Sequence, residues 1–183
     1  MKEITVHTKS IYEGRILSLE LLDVELEDGR TSIREIVRHV RAVGVLPRLP
    51  DGSYIWVRQY RKPLDAYVIE ICAGLIEPGE TPEETARREL LEETGCRPKS
   101  LHRIGALASS PGYTDEMVDL FLADCDPPEV GQKLDSDESI EVLRLCSDEI
   151  ENGIRNGSIF DGKSVSAWFL ARLHADLRPG VDS

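Results

Sequence analysis

Residues 74–96 read GLIEPGETPEETARRELLEETGC. Thr81 is a good N-cap, Pro82 suits the first helical position, and Glu84 completes a capping box with Thr81. Gly95 is a natural left-handed stop, so the spacing predicts a helix over about 82–94. The stretch holds seven glutamates against two arginines, a local charge of −5. Glu89, Glu92 and Glu93 sit at i, i+3 and i+4, so their carboxylates project from one helix face. An exposed Glu–Glu pair at i, i+4 costs roughly 0.2–0.5 kcal/mol, and a helix built for stability would place Lys or Arg four residues after Glu. Glu89 is followed instead by Glu93, and Glu92 by Cys96. Something else must neutralise the cluster. Hard divalent cations with oxygen ligands suit it, and Mg²⁺ usually takes a few carboxylates together with substrate phosphates.

Outward from this helix, the first third reads as strands. ITVHTKSIY and RILSLELLDVELE alternate apolar and polar residues, and Asp28-Gly29 marks a hairpin turn. TSIREIVRHVRAVGVLPRL continues as strand with a break near Gly44. Asp51-Gly52 is a second turn before the strand YIWVRQYR, and a loop through Pro63 leads to AYVIEICAG. Strands around 101–109 and 117–124 flank the loop SSPGYTDE. Residues 127–138 read as an exposed acidic loop. A strand near 139–146 precedes a short helix capped by Ser147, and a last amphipathic helix spans about 162–177 with Val165, Trp168, Phe169 and Leu173 on its apolar side. Many strands with two or three helices set apart in sequence make this an α+β chain.

The 183 residues are enough for one domain with a short extra element, and for a core burying roughly 70% of the extended surface. Hydrophobic residues at 40% and charged residues at 31% exclude low-complexity disorder as the main state. No apolar run approaches the roughly 18 residues of a membrane span. Lys and Arg total 22 against 34 Asp and Glu, leaving −12, which disfavours nucleic-acid binding. Cys72, Cys96, Cys125 and Cys146 form no C-x-x-C pair, so a zinc site, a redox dithiol and a disulfide framework are all disfavoured and buried free thiols are expected. MKEITVHTKS carries no apolar signal region, and a cytoplasmic location is expected.

The acidic segment resembles the Nudix box, G-x5-E-x7-R-E-U-x-E-E-x-G-U with U a bulky apolar residue. Gly74, Glu80, Arg88, Glu89, Leu90, Glu92, Glu93 and Gly95 match, and Cys96 stands where an aliphatic is more usual. The resemblance implies a Nudix fold: a mixed β-sheet sandwiched between helices, with an N-terminal antiparallel β-region. It implies that Glu89, Glu92 and Glu93 ligate Mg²⁺ (or Mn²⁺), with the backbone carbonyl of Ala73 as a further ligand. Arg88 would hold the glutamates in place and Glu80 would brace the loop. The chemistry agrees: metals held by carboxylates neutralise a pyrophosphate, polarise its phosphorus–oxygen bonds and lower the pKa of a bound water.

Ser110-Pro111-Gly112-Tyr113-Thr114-Asp115-Glu116 resembles the loop of the ADP-ribose pyrophosphatase branch, in which the loop Glu orients or deprotonates the attacking water. Glu116 matches that position, beside Asp115 as a competitor, and Pro111 and Gly112 would meet substrate. VRQYR and VIEICAG look like the strands leading into the box of that branch. They imply Arg58 and Arg61 for the diphosphate or ribose and Glu70 for the pocket lining. REIVRH resembles the strand that contacts adenine, through Arg34 and Glu35. By the same resemblance residues 1–40 form a β-region exchanged in a homodimer and residues 41–183 the catalytic domain. The expected reaction is hydrolysis of ADP-ribose to AMP and ribose 5-phosphate. The alternatives are another nucleotide sugar such as GDP-mannose, a dinucleotide such as NADH, an oligonucleotide-directed Nudix enzyme, or a non-catalytic nucleotide sensor.

Overall fold

The computed structural model describes residues 2–128, 130–134, 136 and 139–174. The chain forms two compact units, one of Met1–Arg41 with Ala108–Met117, the other of Ala42–Leu107 with Val118–Ser183.

The first unit is built on strands β1 (Ile4–Glu13), β2 (Leu17–Glu25) and β3 (Thr31–His39), which form an antiparallel sheet in that order. The β2–β3 turn falls at Asp28-Gly29 as the sequence predicts. Gly29 adopts φ 79°, and its N–H donates to Leu26 O at 2.9 Å. Two register shifts interrupt β1, between Thr5 and His7 and between Ser10 and Tyr12, and every residue of β1 is exposed. The 108–117 loop belongs to this unit because its backbone bonds to β3. Val37 N–H donates to Tyr113 O at 2.8 Å, and Val37 and Thr114 form a parallel bridge.

The second unit is a seven-stranded mixed sheet. Its strands are β4 (Ala42–Arg48), β5 (Tyr54–Arg61), β6 (Ala66–Glu70), β7 (Cys72–Leu75), β8 (Pro98–Ala108), β9 (Met117–Cys125) and β10 (Ile140–Leu145). The main path runs β10-β5-β4-β9-β8, with β6 paired to β5 and β7 to β4. β4 and β9 are parallel, from Ala42 opposite Val118 to Arg48 opposite Asp124. All seven residues of β4 are buried, as expected of a strand covered on both faces.

Three helices provide that cover: α1 (Pro82–Thr94), α2 (Ser147–Asn156) and α3 (Gly162–Leu173). Alternate residues of β4 serve opposite faces. Val43 and Val45 join Phe121, Ala86 and Leu90 in the core under α1. Ala42 and Leu46 join Trp56, Leu120, Ile150, Ala167 and Trp168 in the core under α2 and α3. Full burial of each large side chain stabilises the fold by about 1.5–3 kcal/mol. This is the arrangement that the resemblance implies, a mixed sheet sandwiched between helices.

Five sequence expectations change. The long strand breaks at residues 40–41, between β3 and β4, and not near Gly44. Gly44 lies inside β4, where an added Cβ would stand 2.9 Å from Ile71 Cδ1. The expected single strand AYVIEICAG is two, β6 and β7. They part at Ile71, whose N–H donates to Ser164 Oγ at 2.9 Å instead of joining a ladder. The N-cap of α2 is Cys146, with Ser147 the first helical residue. α3 ends at Leu173; residues 175–177 of the expected helix lie outside the described residues. Its buried face is Ser164, Ala167 and Trp168, while Phe169 and Leu173 are 61% and 62% exposed. Those two fall on the outer side because the i, i+3, i+4 row through Ser164 is the one that meets the sheet. Among the described residues, no helix is long and apolar enough to cross a membrane.

Candidate active site

α1 begins with the expected capping box. Glu84 N–H donates to Thr81 Oγ1 at 3.3 Å, Thr81 N–H donates to Glu84 Oε2 at 2.8 Å, and Pro82 opens the helix. It ends at Gly95, φ 71°, whose N–H donates to Leu91 O at 2.9 Å. The glycine at the other end of the segment has a different cause. A Cβ on Gly74 would lie 1.9 Å from Glu89 Oε1, so only glycine lets the Glu89 carboxylate lie against β7. One residue earlier, Ala73 N–H donates to Glu93 Oε2 at 3.2 Å. Two of the three helix carboxylates therefore face β7.

Arg88 ties this face together. Its Nε and Nη2 donate to Glu80 Oε1 and Oε2 at 2.8 and 2.9 Å, a bidentate pair. Nη1 donates to Glu89 Oε1 at 2.7 Å and Glu92 Oε2 at 3.2 Å, and Nη2 also reaches Leu75 O at 3.2 Å. Glu80 further accepts from Thr85 Oγ1 at 2.7 Å and Glu77 N–H at 3.3 Å. Arg88 first, then Thr85, hold the Glu80 carboxyl down to about 2. The loop 76–80 is thereby pinned to the helix.

The donor set is all oxygen. Glu89 and Glu93 are mostly enclosed, Glu92 is 40% exposed, and Arg88 is bonded to Glu89 and Glu92. That chemistry fits a hard divalent cation bound beside phosphate oxygens. Among the described residues no three carboxylate, imidazole or thiol groups already converge on one point. Ligation would require Glu89 and Glu92 to turn from Arg88 toward a common ion. Behind them Cys72 is fully buried, and burial together with the Glu93 carboxylate pushes its thiol well above the usual range. Cys96 and Cys125 are also buried and free, and burial pushes Cys125 up to about 12; Cys146 is exposed.

Arg61 and Glu70 come together as a pair. Arg61 Nε and Nη2 donate to Glu70 Oε1 and Oε2 at 2.6 and 2.9 Å. Glu70 is 2% exposed. Burial works to raise its carboxyl, but Arg61 and Lys163 outweigh that and hold it below the usual range. Lys163 bonds Glu70 and also pairs with Asp161 at 3.1 Å. Asp161 caps α3 by accepting Ser164 N–H at 3.0 Å. Sequence reasoning missed Lys163, Asp161 and Ser164, although Asp161 before Gly-Lys-Ser is a readable N-cap signal. Arg58 is not brought to this network. It lies on the other pleat of β5, bonded to Glu141 at 2.6 Å with its guanidinium 5.2 Å from the Tyr67 ring centre.

In the first unit, Asp115 and Glu116 differ in their partners. Asp115 accepts His39 N–H at 3.0 Å and Arg38 Nη1 at 3.1 Å. Desolvation works to raise its carboxyl, but those two donors hold it below the usual range. Glu116 Oε1 lies 3.4 Å from His39 Nδ1. Pro111 and Gly112 are exposed at the loop tip, and a Cβ on Gly112 would meet nothing. Arg34 is held by Glu3 and by Ser32 Oγ at 2.8 Å, and Glu35 is exposed.

The Glu80–Arg88 pair sets a pH dependence. A carboxyl depressed in the folded chain contributes stability above its unfolded pKa of about 4.3, and that contribution fades as pH falls through about 2. Glu80→Gln should lower thermal stability at pH 7, and the gap to the wild-type chain should narrow from about pH 4.3 downward. An equal gap at pH 7 and pH 3 would show that the Glu80 charge does not brace the loop.

A family profile for the NUDIX domain matches residues 38–167. The chain is 41% identical over 168 residues to an ADP-ribose pyrophosphatase of Bacillus subtilis (strain 168), covering 91% of each chain. It is also 41% identical over 178 residues to a methanol dehydrogenase activator of Bacillus methanolicus, covering 97% of this chain and 96% of that one. A crystal structure of an ADP compounds hydrolase superposes with a TM-score of 0.83 at 27% identity, covering 94% of each chain. The glycine-seated, arginine-braced carboxylates of α1 and these likenesses agree: the chain belongs to the Nudix hydrolase family.

Proposed function

We propose that this enzyme hydrolyses the diphosphate of ADP-ribose to AMP and ribose 5-phosphate, using Mg²⁺, with Mn²⁺ able to replace it. The carboxylate face of Glu89, Glu92 and Glu93 carries the reading, because it gathers three all-oxygen donor groups on one helix face, a set that suits a hard divalent cation. The likeness to an ADP-ribose pyrophosphatase over 91% of the chain supports the substrate. Glu89, Glu92, Glu93 and the carbonyl of Ala73 would hold the cation, with Glu89 and Glu92 turned from an Arg88 that Glu80 keeps in place beside them. When bound, the cation supplies charge neutralisation on the diphosphate and activation of the attacking water.

This chain's own groups do the rest. Arg61 orients a diphosphate oxygen, and Glu70 with Lys163 fixes the Arg61 fork. Pro111 and Gly112 add outer contacts; Arg58, on the opposite pleat of β5 and bonded to Glu141, takes no part. Glu116 takes the proton as water oxygen bonds to one phosphorus; the bridging oxygen leaves with the other phosphate. Asp115 is less suited to that role because its oxygens already serve Arg38 and His39. A general base contributes about 10²–10⁴-fold.

Residues 1–40 serve as an exchanged dimer element, with Arg34 and Glu35 toward adenine, and residues 41–183 as the catalytic domain. The exposed Ile4, Val6 and Tyr12 of β1 and Ile33 of β3 support this, since apolar side chains in such number mark an interaction surface. Light scattering should then give twice the chain mass of 20.5 kDa; a monomer at micromolar concentration would remove the exchange.

ADP-ribose incubated with Mg²⁺ should yield AMP and ribose 5-phosphate, and EDTA should abolish both products. Glu93→Gln and Glu116→Gln should each slow turnover by about 10²-fold or more. Turnover of GDP-mannose or NADH but not ADP-ribose would replace the substrate, and near wild-type turnover by Glu93→Gln would remove Glu93 from the ligand set.

A further inference from the structure

A helix leaves its last four carbonyls without intrahelical partners. At the end of α1 the problem is acute, because Glu93, Thr94, Gly95 and Cys96 are buried and water is a poor substitute. The last turn also carries no basic residue, while Glu92 and Glu93 add negative charge at the negative end of the helix dipole. Gln132 and Lys133, within the 127–138 stretch that the sequence suggests is a plain exposed loop, supply donors there. Lys133 N–H donates to Glu92 O at 2.8 Å. Gln132 Nε2 donates to Glu93 O at 2.7 Å and to Ile140 O at 3.1 Å, linking the helix end to the first residue of β10. Val130 O closes over Gly95, where a Cβ would lie only 2.1 Å away.

The two carbonyls held by this strap belong to the two residues whose carboxylates end the acidic face. We infer that Gln132 is a positioning residue for the divalent-cation site: by fixing the Glu93 carbonyl to β10 it sets the pitch of the last turn of α1 and so the aim of the Glu92 and Glu93 carboxylates. This rests on the reading of Glu89, Glu92 and Glu93 as ligands. A strap that served stability alone would alter melting without altering cation affinity.

The test is Mn²⁺ binding to the purified full chain without substrate, read by the paramagnetic resonance signal of free Mn²⁺ at a temperature where each variant is folded. Gln132→Ala and the near-isosteric Gln132→Glu remove the donated hydrogen bonds. Each should weaken Mn²⁺ binding by about tenfold, the scale on which groups supporting a metal's ligands act. The KM for ADP-ribose at saturating cation should not move. Gln132→Lys keeps an N–H donor of similar reach and should bind Mn²⁺ close to the wild-type affinity. If Gln132→Ala does not fold, the contrast between Gln132→Glu and Gln132→Lys decides. Wild-type affinity in Gln132→Glu would overturn the role of Gln132 while leaving the ligand reading intact. A wild-type chain that binds no Mn²⁺ would overturn both.

Discussion

Three carboxylates crowd the last two turns of α1, and the surrounding structure is arranged around that repulsion. Glu89, Glu92 and Glu93 cannot sit on one face without compensation. Arg88 provides part of it from the preceding position, and it can do so only because Glu80 and Leu75 O fix its guanidinium from the other side. β7 provides the rest. Gly74 makes room for the Glu89 carboxylate, and the Ala73 N–H meets Glu93. β7 is itself held by pairing with β4, at the centre of the sheet, so the acidic face is referenced to the most buried part of the fold.

A second layer of support comes from segments distant in sequence. The Glu70–Arg61 pair ends β6 and β5, and α3 reaches it through Lys163 and Asp161. Ser164 Oγ takes the Ile71 N–H at the point where β6 gives way to β7. On the far side, Gln132 and Lys133 hold the end of α1. The start of β7 and the end of α1 are thus each fixed by residues distant in sequence. A metal site requires such fixing, because ligand oxygens must meet one ion within tenths of an ångström.

What was legible in the sequence was local. Thr81, Pro82, Glu84 and Gly95 bound α1 because capping depends on residues three or four positions apart. The spacing of Glu89, Glu92 and Glu93 announced their shared face for the same reason. What was not legible depended on distant partners. Phe169 and Leu173 read as a buried stripe, but which face of α3 is covered is settled by the sheet it meets. Gly44 read as a break, yet its role is close approach to Ile71. Lys163 gave no signal, since its partner Glu70 lies 93 residues away. Gln132 gave none either, because the groups it satisfies are main-chain carbonyls, which carry no mark in the sequence. Arg58 and Arg61, three apart on one strand, looked like one cluster, and the pleat separates them.

The central claim is that the α1 face is a divalent-cation site. Anomalous diffraction from crystals grown with Mn²⁺ tests it most directly. The account requires a Mn²⁺ peak within coordination distance of carboxylate oxygens from Glu89, Glu92 and Glu93. An ordered Mn²⁺ bound elsewhere, with Glu89 and Glu92 still bonded to Arg88, would contradict it.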